Sequence, residues 1–166
     1  LDYFPAAADF SIAGTCDKMN RISSLSHLTA AIATVIDIDT HNADRASFDP
    51  HKFELLNTIN FFLGNPFTSP GQVIIRKSAL DVVGGFDEAI WGVDDLDLWI
   101  RLSRIGEIRQ YEYMALYYRV HDANASLDLE KMARNTELAI RKNLLLSSEE
   151  DKAEFEMAGY RFLFRC

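Results

Sequence analysis

Gly84-Gly85-Phe86-Asp87-Glu88-Ala89-Ile90-Trp91-Gly92-Val93-Asp94-Asp95-Leu96-Asp97-Leu98-Trp99-Ile100-Arg101-Leu102 holds five carboxylates in the eleven residues from Asp87 to Asp97, with no cation before Arg101. Two glycines close whatever precedes them, and an apolar helical pattern opens at Asp94. Three of the acids fall where that helix begins. The N-terminal end of a helix stabilises anions, so these carboxyls are expected to stay ionised at neutral pH. Such a cluster can bind a cation, take a proton from a hydroxyl, or cap a helix. The helix is expected over Asp94 to Ile105, with Leu98, Trp99, Ile100, Leu102 and Ile105 as its apolar surface and Gly106 just past its end.

Working outward, Lys77 to Val83 reads as a short helix stopped by Gly84-Gly85, and Gln72 to Arg76 as a short buried strand. Ser69-Pro70-Gly71 makes a turn before it. Lys52 to Leu63 has helical length and apolar character, and Gly64-Asn65-Pro66 stops it. Nearer the start, Asp9 to Gly14 reads as a strand. Asn20 is placed to cap a helix carrying Ile22, Leu25, Leu28 and Ile32, and Thr34 to Asp39 reads as a β-branched strand. The polar stretch from His41 to Pro50 is expected as a loop. Beyond the acids, Glu107 to Tyr113 and Ala115 to Val120 are extended and aromatic. Ser126 or Asp128 caps a long helix patterned on Leu129, Met132, Ala133, Thr136 and Ile140, and Glu149 to Leu163 forms another. Interleaved strands and helices predict an α/β chain, with no repeat or linker to divide it, and the whole of 1–166 is expected as one domain.

A net charge of −8 and an isoelectric point near 4.9 exclude the basic stripe of a nucleic-acid surface. No apolar run reaches the length of a membrane span. Cys16 and Cys166 give neither a metal-ligand spacing nor a disulfide framework and suit a reducing, cytoplasmic setting. His27, His41 and His51 show no ligand spacing. The chain begins at Leu1, so it is expected to be a piece of something longer.

Several motifs run in a fixed order: Asn65-Pro66-Phe67, Gln72 to Lys77, Val83 to Glu88, Asp94 to Leu102, and Tyr117-Tyr118-Arg119-Val120-His121 with Asn124 and Ser126. In order and spacing they resemble the second half of family 2 glycosyltransferases with the GT-A fold, over roughly residues 60 to 145. The resemblance implies a partial GT-A-like mixed sheet flanked by helices. It also implies an inverting transfer from a nucleotide-diphosphate sugar to a saccharide or lipid-linked hydroxyl acceptor. Where the family has a Glu-Asp pair this chain has Asp94-Asp95, so the catalytic base falls on Asp95 or Asp94. His121 falls on a position that helps hold a metal or the diphosphate, and Gly71 on a donor-side glycine loop. Arg119 is placed to pair with phosphate or with the acid cluster. A divalent metal, Mn²⁺ or Mg²⁺, is expected with the family's nucleotide-binding half, for which this chain has no room. Asp37-Ile38-Asp39 follows a β-branched strand, as the family's metal motif does, but sits only 57 residues before Asp94; a strand end with a polar face fits it better. On this reading the chain is the acceptor-side, C-terminal portion of the enzyme. The alternative is a non-catalytic interaction or regulatory domain that keeps the fold and the acids.

The residues themselves say what the chemistry needs. Attack by a hydroxyl requires a carboxylate to take its proton, and loss of a diphosphate requires positive charge. Helix capping explains one or two acids, not all five. Trp91, in the loop before the acids, is placed to stack on a sugar, whereas Trp99, inside the helix, belongs to a core. The tyrosines at 111, 113, 117 and 118 are expected to pack within the extended segments.

Overall fold

A computed structural model of the chain describes residues 10–12, 28–33, 36–37, 51–67, 69–111, 117–118 and 128–165. The fold is mixed α/β, and the described residues group into two compact units. The first, a sheet unit, takes in the described residues up to 56, Phe67–Gly84 and 105–118. The second, a helical unit, takes in Asn57–Pro66, Gly85–Arg104 and 128–165.

The sheet unit contains strands β1 (Phe10–Ile12), β2 (Leu28–Ala33), β3 (Ile36–Asp37), β4 (Phe53–Leu56), β5 (Val73–Arg76), β6 (Glu107–Tyr111) and β7 (Tyr117–Tyr118). Five of them form one sheet in the order β1-β5-β2-β6-β4, and β3 pairs with β7 in a separate, parallel two-stranded sheet. Within the larger sheet β2 runs parallel to β6, and the other neighbours are antiparallel. Val73, Ile74 and Ile75 of β5 are all buried, as are Ile108 and Tyr111 of β6. The apolar run of β5 thus reads as a strand covered on both faces. Phe53 and Tyr111 are cross-strand partners with ring centroids 5.8 Å apart, and the Arg109 guanidinium lies over the Phe53 ring.

Helix α1 (Thr58–Leu63) opens the helical unit. Helix α2 (Lys77–Val83) belongs to the sheet unit. The helical unit continues with α3 (Asp94–Ser103), α4 (Leu129–Leu145) and α5 (Glu149–Leu163). Among the described residues no helix is long and apolar enough to cross a membrane. Helix α2 stops as its sequence predicts: Gly84 takes φ 85°, a left-handed conformation that favours glycine, and its N–H bonds the Leu80 carbonyl. The core of the helical unit is built from Phe61 and Phe62 of α1, the α3 side chains Leu96, Leu98, Trp99, Ile100 and Leu102, and Ala139, Ile140, Phe155 and Ala158. Phe62 stacks on Phe155 with centroids 4.8 Å apart. Trp99 is fully buried, as its place inside the helix predicts.

Some expectations are corrected. Leu28 to Ala33 is a strand, not the end of a helix capped by Asn20; Leu28 and Ile32 belong to β2, and the rest of that helix lies outside the described residues. A strand paired on both edges can be apolar at every position, a run that periodicity does not distinguish from a buried helix. Lys52 to Leu63 is not one helix. Phe53–Leu56 pairs with β6, and the helix starts only after Asn57, whose N–H donates to Asn60 Oδ1 at 2.7 Å. Helix α3 ends at Ser103 with Arg104 as its cap, so Ile105 is exposed and Gly106 does not terminate it. Leu129 opens α4 but is exposed; the buried stripe runs through Asn135, Thr136, Ala139, Ile140 and Asn143. The His41–Pro50 loop, Tyr113 and Ser126 lie outside the described residues, and Asp128 caps α4 by accepting from Lys131 N–H.

Helices α4 and α5 approach closely at Gly159, where an added Cβ would stand 2.7 Å from Ile140 Cγ2. Two effects oppose each other in Gly159→Ala. Helix propensity favours alanine by about 1 kcal/mol, and overpacking costs about 1–3 kcal/mol. Because a Cβ–Cγ2 contact cannot relax as a long side chain does, the clash outweighs propensity. Gly159→Ala is expected to lower the urea midpoint at unchanged slope, and Ile140→Leu, which moves the branch off Cβ, to recover most of the loss in the double variant. Equal or higher stability of Gly159→Ala would show that the two helices are free to move apart.

Candidate functional site

The five acids separate into distinct roles. Asp97, on the first turn of α3, is 0% exposed. Its Oδ2 accepts from Arg101 Nε at 2.9 Å and from Lys142 Nζ at 3.0 Å, and its Oδ1 accepts from Asn143 Nδ2 at 2.8 Å. Lys142 also reaches Asp87 Oδ2 at 2.7 Å. Arg101 Nη2 donates to the Gly85 carbonyl at 2.7 Å. Asp87 Oδ1 accepts the Ala89 N–H, which closes a turn. Contact with Lys142 and the Ala89 amide holds the Asp87 carboxyl below its ordinary range. Glu88 is exposed.

The loop 85–93 is held further along by α4. Asn135 Nδ2 donates to the Trp91 carbonyl at 2.6 Å, and Ile90 and Val93 pack against Ala139 and Met132. Gly92, at φ 85°, allows the chain to turn where a Cβ would touch Met132 Sδ at 3.0 Å. The Trp91 ring is 48% exposed, and the Lys131 ammonium stands 3.7 Å from its centroid. Thus Trp91 is anchored through its backbone while its indole lies in the surface with a cation over one face.

Asp94 and Asp95 follow directly. Neither caps the helix: the N-cap is Val93, which makes no side-chain cap bond and is instead buried in the apolar contact with Ala139. Both carboxylates are half-buried. Asp95 Oδ1 accepts the Leu96 N–H at 2.7 Å, and its Oδ2 accepts Asn65 Nδ2 at 3.2 Å. Among the described residues no cation pairs with either acid. Burial raises the Asp95 carboxyl above its ordinary value, and the adjacent Asp94 charge adds to that rise; the Leu96 and Asn65 donors oppose it without cancelling it. At Asp95, desolvation thus acts against the favourable field of the helix N-terminus.

The other sequence-designated residues belong to the sheet unit or lie outside the described residues. Gly71 belongs to the sheet unit, in a 3₁₀ turn (Pro70–Gln72), where its N–H donates to Ser69 Oγ and Gln72 Oε1 accepts the Ser69 N–H. Arg119, His121 and Asp39 are outside the described residues, and Asp37 is described only as part of β3. Among the described residues no group of three His, Cys, Asp or Glu side chains gathers as metal ligands. Sequence reading missed Asn65, Lys131, Asn135, Lys142 and Asn143. Asn65 was visible only as a motif letter, and the α4 residues as polar positions on a helix, with nothing local to link them to acids 45 residues away.

Two predictions test this separation. Asp97→Ala leaves Lys142 and Arg101 without their buried counter-charge and is expected to cost about 3–5 kcal/mol in urea unfolding, whereas Glu88→Ala should stay within about 0.5 kcal/mol. Equal effects would show that the network around Asp97 carries no stability. Asp95 behaves oppositely. Its folded-state pKa is raised, so its contribution is fully favourable below the unfolded value and is lost as pH rises through the folded one. Asp95→Asn should therefore melt above the wild type at pH 7, with the advantage shrinking as pH falls and the native carboxyl takes up its proton. A variant less stable than wild type at pH 7, or a pH-independent difference, would contradict the burial of this charge.

No protein-family model, curated protein or solved structure matches the chain.

Proposed function

We propose that this chain is the acceptor-side, base-carrying portion of an inverting, GT-A-type glycosyltransferase, with Asp95 as the general base. One observation carries the reading. Of the five clustered acids, Asp87 and Asp97 are engaged by Lys142 and Arg101, while Asp94 and Asp95 stand at the start of α3 with no described counter-ion and with the Asp95 carboxyl raised by burial. Holding the fold accounts for Asp87 and Asp97 and leaves Asp94 and Asp95 without that role. The resemblance over residues 60 to 145 supplies the reaction class.

In that reaction the acceptor hydroxyl oxygen bonds to the anomeric carbon of the donor sugar. The bond from that carbon to the diphosphate breaks, and the electron pair leaves with the nucleoside diphosphate. The hydroxyl proton passes to Asp95. An ionised carboxylate has about four lone-pair positions, so Asp95 retains acceptor capacity beside the Leu96 and Asn65 bonds. The two donors fix its orientation, and a pKa moved upward strengthens it as a base. Trp91, anchored by Asn135 on the same loop, offers an aromatic face for a sugar ring. When bound, a divalent cation would neutralise the departing diphosphate, and His121 is the residue of this chain proposed to help hold it; Asp95 removes the proton and Trp91 positions the acceptor.

The test uses the longer protein that contains this chain, assayed with nucleotide-diphosphate sugars and sugar or lipid-linked hydroxyl acceptors in Mn²⁺ or Mg²⁺, with product anomers read by NMR. Inverted product is expected. Asp95→Asn, which keeps shape but cannot accept the proton, should lower kcat by about 10²–10⁴, and His121→Ala should mainly raise the metal concentration needed for donor binding. The chain alone should neither bind nor turn over the donor. Full activity in both Asp94→Asn and Asp95→Asn would reject the base assignment. A folded longer protein inert toward every donor would favour the interaction-domain alternative.

A further inference from the structure

The outer side of α5 carries a pattern independent of the acids. Phe155, Ala158 and Gly159 are buried. Ala153, Met157, Tyr160 and Phe164 lie on the opposite side and are exposed, with 56%, 47% and 89% of the surface of the last three open to solvent. Their spacings of 4, 3 and 4 residues are those of a coiled-coil seam, with 153 and 160 as d positions and 157 and 164 as a positions. Single exposed apolar side chains need no explanation. Four in register on the face turned away from the core form a continuous strip over about three helical turns.

We propose that this strip pairs with the same strip of a second copy of the chain, antiparallel and about a two-fold axis. Two properties select that occupant. Antiparallel pairing places a positions against d positions, so Met157 meets Tyr160 of the second copy and Ala153 meets Phe164, large against small. It also places e positions against e positions, so Arg161 meets Glu154 of the second copy, twice by symmetry, while the g positions Glu156 and Leu163 meet without like-charge contact. A parallel pairing would also match Glu156 with Arg161. It would, however, set Phe164 on Phe164 and Ala153 on Ala153, crowding one end and leaving a void at the other. A strip this short sits at the weak end of specific interfaces, so the pairing is a monomer–dimer equilibrium rather than an obligate dimer.

Sedimentation velocity of the full chain, under reducing conditions and from micromolar to millimolar concentration, tests the proposal. A concentration-dependent shift from monomer to dimer is expected. Met157→Glu should weaken the dimer by about tenfold or more while leaving the melting temperature at low concentration unchanged, because the side chain is exposed. Tyr160→Glu is the second variant should the first fail to fold. Arg161→Glu should weaken the dimer, and adding Glu154→Arg should restore it. A monomer at every concentration, or a dimer indifferent to both Met157→Glu and Tyr160→Glu, would overturn the proposal. Restoration of Arg161→Glu by Glu156→Arg in place of Glu154→Arg would overturn the antiparallel register.

Discussion

Asp97 is withdrawn from solvent in the helical unit, and Arg101, Lys142 and Asn143 all donate to it. Placing a carboxylate there costs several kcal/mol before any partner is counted. The partners offset that cost only in this arrangement, because removing any one leaves charge or a polar group unmatched in a region of low dielectric. Such a network specifies geometry more than it adds stability. Helix α3 can take one rotation and one height against α4, the one that brings Asp97 to Lys142 and Asn143. Arg104 reinforces the choice at the other end of α3: its guanidinium donates to the carbonyls of Asn143 and Leu146 and to Ser147 Oγ, closing the C-terminus of α4.

Much of the loop 85–93 depends on that arrangement. Gly85 is held by Arg101, Asp87 by Lys142 and Trp91 by Asn135, with Ile90 and Val93 set into the apolar contact beside them. The loop carries Gly85 and Gly92, which loosen its backbone, yet α3 and α4 supply it with anchors along its length. Rigid support fixes the side chains it carries, and here it extends to Asp94 and Asp95 in the first turn of α3. Val93 shows the same priority. Serine or aspartate at that position would cap the helix, worth about 1 kcal/mol. Valine instead gives buried contact with Ala139, so the sequence favours anchoring the loop over closing the helix end.

What could be read from the sequence follows from how local each cause is. Helix α2 and its stop were legible because Gly84 and the apolar spacing before it act within a few residues. Helices α3, α4 and α5 were legible from their length and apolar pattern, and α4 also from its Asp128 cap, whereas the end of α3 was not. Strand β2 was not, because Leu28 to Ala33, apolar but for Thr29, lacks alternation, and its identity as a strand rests on β5 and β6, far away in sequence. Strand β4 was absorbed into a helix for the same reason. In the site, Trp91, Asp94 and Asp95 stood out by chemistry alone. The distinction between Asp95 and Asp97 did not, since it is made by Asn65 on one side and by Lys142 and Asn143 on the other. A surplus of acids was visible, but which of them the fold consumes was not.

That division has a simple geometric origin. Residues two apart on an α-helix are separated by about 200° around its axis, so Asp95 and Asp97 point to nearly opposite sides of α3. One side faces α4 and its lysine; the other faces the turn after α1, where Asn65 offers a neutral donor. A lysine there would neutralise Asp95, whereas an amide orients the carboxylate and leaves its charge unmatched. Three acids in the first turn therefore do two jobs that a single acid could not. Asp97 supplies the ionic fixing that sets the position of the helix, and Asp95 keeps an unneutralised charge that the fold must bear.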